Sequence, residues 1–239
     1  MKAVILAGGR GTRLAPYTTV FPKPMLPIGG KPVLEIIISQ LAYYGFKDIV
    51  ISLGYLSELI QLYFKNKKVL PKGVRLSFIL EKKPLGTAGP VSLLPDMKES
   101  FLVMNGDVLT TLDFGQLFRF HQRKKAMLTV GVHRKDVKME LGIVKLAKNC
   151  EVEDYIEKPT YTFYDSMGIY VYHPSVLKYI RPDTRLDLPE LVLKLIRNKE
   201  KVFGYYHKKQ HYWIDMGRPQ EYQTANEKFL KQKNEFLRK

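Results

Sequence analysis

Two arginines interrupt a glycine-rich segment near the amino terminus. The stretch VILAGGRGTRL places Gly8, Gly9 and Gly11 beside Arg10 and Arg13, directly after a short apolar run. Glycine allows a loop backbone to approach a ligand closely, exposed loop amides attract anions, and arginine binds phosphate through two hydrogen bonds. The spacing matches neither the P-loop nor the GxGxxG dinucleotide fingerprint. These residues therefore indicate a phosphate-binding loop, and an ordinary glycine turn is the alternative interpretation.

Two aspartates and one lysine are candidates for a site that binds phosphates, with the aspartates as metal ligands. Asp107 follows the apolar run FLVMNG, and Asp215 follows YWI, so each aspartate ends a predicted strand. Magnesium takes one or two carboxylates together with phosphate oxygens and water, so the pair predicts a magnesium site. The alternative is a turn-forming aspartate that binds its own backbone. Lys23 lies between Pro22 and Pro24, and this stiff backbone would aim its ammonium group.

A second group of charged residues lies later in the chain. Glu157 and Lys158 precede a proline at the end of a predicted strand. They form either a surface ion pair of small energetic value or a substrate clamp, in which the glutamate accepts sugar hydroxyls and the lysine contacts a phosphate. Spacing alone leaves both interpretations open. The five histidines show neither metal-ligand spacing nor a Ser-His-Asp arrangement.

Strand and helix patterns alternate through the first half of the chain. Strands are predicted at 4–6, 48–53, 74–80 and 101–104, and helices at 32–44, 57–64 and 114–124. Ser57 is the expected cap of the second helix, and the prolines between 21 and 27 are expected to exclude a helix there. This alternation predicts the α/β class, with a doubly wound, mainly parallel, Rossmann-like sheet and a ligand site at its carboxyl edge.

The second half has shorter connections. Strands are predicted at 127–133, 142–146, 152–157, 167–172, 201–206 and 212–215, with helices at 188–198 and at the carboxyl terminus. We expect one domain over 1–239, composed of a nucleotide-binding half (1–125), a sugar-phosphate-binding extension of the same sheet (126–225) and a terminal helix (226–239). That helix carries Phe229, Leu230, Phe236 and Leu237, which predict either a core stripe or a subunit contact, so a homo-oligomer stays open.

Composition limits the class of protein. Of 239 residues, 45% are hydrophobic, which suffices for a large core, and the net charge is +16. This charge is compatible with a nucleic-acid partner, with a small anionic substrate or with a solvated basic surface that has no specific partner. The sequence contains no zinc-finger, helix-turn-helix or RNP-like pattern, so we predict no nucleic-acid partner. A single cysteine, Cys150, is typical of a reducing compartment. No signal peptide or membrane-spanning segment is evident, and we expect a cytoplasmic protein.

Six motifs in order resemble one enzyme family. LAGGRGTRL, FPKPMLPIGGKPVLE, PLGTAGP, MNGDV, IEKP and YWIDMGRP together resemble the sugar-1-phosphate nucleotidylyltransferases, and the resemblance covers residues 1 to 225. Among these enzymes the motifs are most similar to mannose-1-phosphate guanylyltransferases. The resemblance implies transfer of a nucleoside monophosphate from an NTP to a sugar 1-phosphate: the sugar phosphate attacks the α-phosphorus in line, and pyrophosphate leaves. It also implies magnesium as cofactor. The chain lacks the C-terminal β-helix of longer relatives.

The resemblance further implies roles for individual residues. The nucleotide would be bound by Leu6, Ala7, Gly8, Gly9, Gly11, Thr12, Gly86, Ala88 and Gly89. Arg13, Lys23 and Lys158 would act on the phosphates as catalytic residues, and Asp107 and Asp215 would hold the metal. The sugar phosphate would be bound by Gly142, Glu157, Lys158, Ser166 and Gly168. Ser166 and Met167 stand where the family often has Asn-Ala, with Met167 expected beside the sugar.

The nucleobase is predicted from the stretch LGTAGP. This stretch resembles the guanylyltransferase branch, whereas pyrimidine-using relatives commonly carry a glutamine at the position of Gly89. A glycine there is expected to leave room for a purine. The prediction is GTP with mannose 1-phosphate or a related hexose phosphate. The alternatives are an enzyme that uses UTP, dTTP or CTP, and a regulatory protein that binds nucleotide without turnover.

Overall fold

A mixed β-sheet forms the centre of the molecule. The computed structural model describes residues 1–95, 97–207 and 211–237. The strands of this part are β1 (Lys2–Ala7), β2 (Pro27–Ile28), β3 (Lys31–Pro32), β4 (Asp48–Leu53), β5 (Arg75–Leu80), β6 (Phe101–Asn105), β7 (Val108–Thr110), β8 (Leu128–Lys138), β9 (Ile143–Leu146), β10 (Val152–Ile156), β11 (Thr160–Tyr172), β12 (Val202–Tyr206) and β13 (Trp213–Asp215). The main sheet has the order β12-β8-β11-β6-β1-β4-β5.

Four of the six neighbouring pairs in this sheet are parallel, and only β11 runs antiparallel to its neighbours β6 and β8. The predicted α/β class with a mainly parallel sheet is therefore confirmed.

Strand β1 shows why the sheet has a hydrophobic cluster on each face. Ala3 and Ile5 point into one hydrophobic cluster and Val4 into the other, and all three are fully buried. A strand buried on both faces needs a continuous apolar run, which Val4–Leu6 supplies.

Helices cover both faces of the sheet. The helices of the described residues are α1 (Val33–Tyr43), α2 (Ser57–Lys65), α3 (Phe114–Lys124), α4 (Leu188–Arg197), α5 (Pro219–Lys231) and α6 (Lys233–Phe236), with short 3-10 turns between them. Helices α1, α2, α3, α5 and α6 contribute to the first cluster and α4 to the second. Sequence patterns predicted most of these elements to within a few residues, and α3 has the predicted bounds.

Two local predictions in the first half are wrong. The proline-rich stretch contains a 3-10 turn at Lys23–Met25, because Pro24 lies in its first turn, where a missing N–H costs no hydrogen bond. Ser57 does not cap α2. That helix begins at Ser57 itself, after Leu56 in a left-handed conformation with φ of 54°, and no side chain caps it.

The second half extends the same sheet, as predicted. Strands β8, β11 and β12 join it, and β8 and β11 continue together beyond its edge. Strands β9 and β10 form a separate antiparallel hairpin. We call residues 134–164, which comprise this hairpin and the outer parts of β8 and β11, the arm. Strand β13 pairs with β7 instead of joining the main sheet.

The terminal helix forms a core stripe rather than an exposed one. It consists of α5 and α6, separated at Gln232, and the side chains of Phe229 and Phe236 are fully buried, whereas Leu230 is exposed. Residues 238 and 239 of the predicted helix lie outside the described residues. The described residues form no β-helix. In this part of the chain no helix is both long and apolar enough to span a membrane.

Candidate active site

The glycine-rich loop follows β1 at the carboxyl edge of the sheet. Gly11 adopts a φ of 64° and begins a 3-10 turn over Thr12–Leu14. A Cβ at Gly11 would lie about 3.0 Å from Thr18 and 3.1 Å from Lys23, so this end of the loop lies tightly against the lysine segment. The Thr18 hydroxyl donates a hydrogen bond to the Gly11 carbonyl at 2.8 Å. Glycine is thus required here for both conformation and packing.

Lys23, Asp107 and Asp215 form one charged cluster. Lys23 is only 9% exposed, its ammonium group makes a close ion pair with Asp107, and it lies 3.6 Å from Oδ1 of Asp215. The pairing of β7 with β13 brings the aspartates together, because Asp215 lies opposite Val108 and the Met216 N–H donates to the Asp107 carbonyl at 3.1 Å. Two residues far apart in the sequence therefore meet through one short ladder.

The chemistry of this cluster fits a hard divalent cation. Oδ1 of Asp215 is buried and accepts no hydrogen bond from any of the described residues. Burial and the neighbouring Asp107 carboxylate raise the pKa of Asp215, against the lowering effect of Lys23 and Arg13. Among the described residues no three His, Cys, Asp or Glu side chains cluster as a metal site. Magnesium needs only one or two carboxylates when substrate phosphates complete its shell, so the pair suffices.

Arg13 lies beside this cluster and faces Gly217. The central carbon and both terminal nitrogens of its guanidinium group would each lie 3.2 Å from a Cβ at residue 217. These equal distances place the flat face of the group over the glycine. The Arg13 side chain is thereby held at the mouth of the site, within electrostatic reach of Asp215.

A cavity of about 440 Å³ joins these groups. It is lined by Leu6, Ala7, Gly8, Gly9, Gly11, Thr12, Arg13, Lys23, Pro24, Glu81, Pro84, Leu85, Gly86, Thr87, Asn105, Gly106, Asp107 and Asp215. These residues follow β1, β5, β6 and β13, so the cavity lies where parallel α/β sheets bind their ligands. The predicted phosphate loop, lysine and aspartates are therefore brought together.

Ala88 and Gly89 lie behind the cavity and do not line it. Their amides donate to the Leu186 carbonyl at 2.9 and 3.0 Å, and a Cβ at Gly89 would lie 2.7 Å from the Thr184 carbonyl. The absence of a side chain at Gly89 thus makes room for the neighbouring backbone. The expectation that it makes room for a larger base has no support in this geometry.

The predicted sugar-phosphate residues are not brought into the cavity. Glu157 and Lys158 lie on the arm, where their side chains are 61% and 57% exposed and 3.5 Å apart. Lys158 has a φ of 42°. Gly142 packs against the ring of Tyr155, whose hydroxyl donates to Glu157 at 3.2 Å. These residues therefore form a separate group on the arm.

Ser166 and Gly168 lie between these two groups, at a register shift in the pairing of β8 with β11. A Cβ at Gly168, which has a φ of 70°, would collide with Asn105 of the cavity wall. The Ser166 and Tyr170 hydroxyls are 3.0 Å apart and share a hydrogen bond. Met167 is 1% exposed and belongs to the core, so the expectation that it lies beside a sugar is wrong: at this shift its side chain turns inward.

Sequence reasoning missed several residues of the cavity wall, of which Glu81, Thr87 and Asn105 carry polar side chains. Glu81 and Asn105 each come at the end of a strand of the main sheet, as Asp107 does. Ser52 donates to one Glu81 oxygen at 2.8 Å, and the Leu85 N–H donates to the other at 3.4 Å. The rule that ligands bind at the carboxyl ends of parallel strands could have identified both residues.

Comparisons with known proteins agree on one family. A family model described as nucleotidyl transferase matches residues 2–232. The mannose-1-phosphate guanyltransferase of Schizosaccharomyces pombe is 34% identical over 233 residues, or 94% of this chain and 63% of that protein. The mannose-1-phosphate guanylyltransferase catalytic subunit beta of Xenopus tropicalis is 30% identical, with the same coverage of both chains. The chain thus spans less than two thirds of these relatives.

A solved structure extends the similarity to the fold. The crystal structure of HddC from Yersinia pseudotuberculosis complexed with GMP-PN superposes with a TM-score of 0.72. The two proteins are 28% identical, and the match covers 95% of this chain and 99% of that one. The similarity therefore includes both the cavity and the arm.

Proposed function

The chain belongs to the nucleotidyl transferase family, and from that premise we propose that it transfers a nucleoside monophosphate from an NTP to a hexose 1-phosphate. Pyrophosphate is the second product. The observation that carries this proposal is the cluster of the buried Lys23 with Asp107 and Asp215 at one end of a cavity bordered by a glycine loop and Arg13. A cavity with these charges suits a polyphosphate that must be both held and cleaved.

The mechanism follows from charge. Both substrates are anions, so their approach is unfavourable until cations neutralise them. Lys23 and Arg13 place two positive charges at the phosphate end of the cavity, and the buried setting of Lys23 makes its interaction stronger than it would be in water. When bound by Asp107 and Asp215, magnesium would stabilise charge on the phosphates as a Lewis acid. The attacking sugar phosphate is already ionised, so no general base is required.

In this proposal the two halves of the chain bind different substrates. Residues 1–125 and the 213–217 segment bind the NTP. The sugar 1-phosphate is bound from the arm and its base, with Lys158 on its phosphate and with Gly142 and Glu157 of the arm and Ser166 and Gly168 at its base towards the sugar. The Gly168–Asn105 contact supports this division, since it connects the base of the arm to the cavity wall. Helices α5 and α6 have a structural role, since the side chains of Phe229 and Phe236 are buried.

The substrates proposed are GTP and mannose 1-phosphate or a similar hexose phosphate. Support comes from two relatives named as mannose-1-phosphate guanyltransferases and from a structural neighbour that was crystallised with GMP-PN. Neither the LGTAGP stretch nor Gly89 adds to this support, because Gly89 lies behind the cavity.

A pyrophosphate-release screen tests the proposal. GTP, ATP, UTP, dTTP and CTP are each paired with mannose, glucose, galactose and N-acetylglucosamine 1-phosphates, with and without magnesium. The expected result is magnesium-dependent release that requires a sugar phosphate and is fastest with GTP. A preference for UTP or dTTP would overturn the base assignment alone. Nucleotide binding without release in any pair would favour the non-catalytic regulatory protein.

A further inference from the structure

The segment that carries Arg13 has little packing to hold it. We call residues 8–21, which join β1 to the Lys23 segment, the phosphate loop. The structure describes all of this loop, and within it only Leu14 and Thr18 are buried. A segment with so few buried contacts is ordered mainly by hydrogen bonds. Its conformation therefore depends on the groups that bind it from outside.

Tyr55 contacts the phosphate loop at three points. Its backbone N–H donates to the Gly8 carbonyl at 3.3 Å, and its hydroxyl donates to the Thr19 carbonyl at 3.0 Å. The guanidinium carbon of Arg10 lies 5.8 Å from the centroid of its ring, a contact typical of a cation over an aromatic face. One residue thus binds the loop near both of its ends and at a point between them.

The backbone around Tyr55 is shaped for this contact. A Cβ at Gly54 would lie 2.5 Å from the Gly8 carbonyl oxygen, so the two backbones meet with no side chain between them. Leu56 has a φ of 54°, a left-handed conformation that is unfavourable for leucine. Strain of this kind persists where the surrounding structure requires it, and it is concentrated at functional sites. The chain therefore turns sharply between β4 and α2, with Tyr55 at the turn.

Two 3-10 turns connect the residue that Tyr55 binds to Arg13. One covers Thr12–Leu14 and contains Arg13, and the other covers Tyr17–Thr19. The Thr18 hydroxyl in the second turn donates to the carbonyl at the start of the first, at 2.8 Å. Because Tyr55 holds the last residue of the second turn, release of that residue would loosen the backbone that carries Arg13.

We propose that Tyr55 is a positioning residue that holds the phosphate loop in the conformation that binds an NTP. Tyr55 is not among the described residues that line the cavity, so it acts through the loop and Arg13 rather than on the nucleotide. A ligand binds less tightly when the competent conformation is only partly populated, and Tyr55 raises that population. The proposal rests on the function proposed above and names a residue outside the cavity on which binding of the phosphates depends.

Tyr55→Phe isolates the hydroxyl, because phenylalanine keeps the backbone N–H and the ring beside Arg10. Tyr43→Phe is the matched control, since Tyr43 is 52% exposed on α1. Equilibrium binding with magnesium is measured for GTP against GMP and for UTP against UMP. A monophosphate lacks the β- and γ-phosphates, so each pair separates an effect on the phosphate loop from an effect on the rest of the cavity. Two bases are used so that the result does not depend on the base assignment.

Tyr55→Phe should weaken the tighter-binding triphosphate by about three- to tenfold, the value of one hydrogen bond between uncharged groups. Its monophosphate should bind as before, and Tyr43→Phe should bind both like the unchanged protein. In steady-state kinetics the KM for the NTP should rise by a similar factor. The kcat and the KM for the sugar phosphate should change little, because bound nucleotide restores the loop.

Hydrogen exchange followed by mass spectrometry measures the loop itself. The amides of Leu14, Ala15 and Thr19 donate to carbonyls within the loop at 2.9, 3.2 and 3.1 Å. In Tyr55→Phe they should exchange about three- to tenfold faster than in the unchanged protein or in Tyr43→Phe, because the loop opens more often. Saturation with the triphosphate should remove this difference.

Unchanged exchange in the loop of Tyr55→Phe would overturn the proposal. Equal losses of affinity for the triphosphate and its monophosphate would also overturn it, because the effect would then lie outside the phosphate contacts. So would an unchanged protein that binds neither triphosphate more tightly than its monophosphate. If the loop loosens and triphosphate binding weakens, but no sugar phosphate yields pyrophosphate, the proposed function fails and the role of Tyr55 stands.

Discussion

The cavity and the arm present charged residues in opposite ways. In the cavity, Lys23 is 9% exposed and is fixed between two aspartates, whereas on the arm the Lys158 side chain is 57% exposed and pairs with its neighbour Glu157 at 3.5 Å. A buried, paired charge is already desolvated and aimed, while an exposed pair contributes about 0–1 kcal/mol and is free to reorient. The proposed nucleotide site is therefore built into the fold, and the proposed sugar-phosphate site is not.

Packing shows the same contrast. Strands β1 and β6, which end at the cavity, are buried on both faces, but the arm exposes large apolar side chains such as Leu141, Tyr155 and Phe163 at 76%, 59% and 52%. Few buried contacts hold the arm in its present position relative to the sheet. We expect its residues to approach the cavity when a ligand supplies further contacts.

The largest effect is expected at the metal site. Asp107→Asn keeps the shape of the side chain but removes a charge beside Lys23, so turnover should fall by about a hundredfold or more while the fold is retained. Asp136→Asn is the matched control, since Asp136 is an exposed arm residue that pairs with Arg134. Steady-state pyrophosphate release measures both variants. Equal rates in the two would remove Asp107 from the site.

On the arm, Lys158→Ala should raise the KM for sugar 1-phosphate by about ten- to a hundredfold, the value of one charge-assisted hydrogen bond. The KM for the NTP should change little. Lys145→Ala is the control, because Lys145 forms a similar 3.5 Å pair with Asp154 on the same hairpin. An unchanged KM, or equal losses for both substrates, would show that the Glu157–Lys158 pair is only a surface ion pair.

A smaller kinetic effect is expected from a substitution at Gly217, against which the Arg13 side chain packs. Gly217→Ala would place a methyl group 3.2 Å from the guanidinium plane and push this flexible side chain aside. We expect a rise of about threefold to tenfold in the KM for the NTP, with no change for the sugar phosphate. Gly204→Ala, whose methyl group would meet only Val132 at 3.7 Å, should be kinetically neutral. Similar kinetics for both variants would argue against this positioning.

Acidification should lower the stability of the protein through His121, a buried residue that connects the two regions. It lies in α3, is 1% exposed and bonds to Thr129 of β8, the strand that leads into the arm. Burial and nearby His173 lower the pKa of His121 to about 4. In the unfolded chain the pKa of His121 is near 6.5, so the unfolded state binds the proton more readily than the folded state does. The contribution of His121 to stability is therefore full above pH 6.5 and is lost as the pH falls towards 4.

Denaturant unfolding followed by fluorescence of Trp213, the single tryptophan, measures this effect. Between pH 8 and pH 5 the contribution of His121 should fall by about 2 kcal/mol. His121→Asn should reduce the pH dependence. An identical slope in this variant would show that other groups cause it.

Sequence patterns were sufficient for the nucleotide half and insufficient for the arm. Strands β1, β4 and β6 are continuous apolar runs that end in glycine or polar residues, so both the elements and the cluster at their ends were predictable. Glu81 was missed because its partners Gly8 and Ser52 are distant in the sequence. Glu157 and Lys158 were candidates from their own positions in the sequence, and the family resemblance favoured a role at the sugar phosphate, but no pattern indicates how far an exposed arm lies from the cavity.

The difference between the two regions predicts an order of binding, and calorimetric titration of each substrate alone tests it most directly. GTP with magnesium should bind the free protein, because its phosphate site is already formed. Mannose 1-phosphate should show no measurable binding alone, but should bind when a non-hydrolysable GTP analogue is present. Saturable, similarly tight binding of mannose 1-phosphate to the free protein would contradict the account.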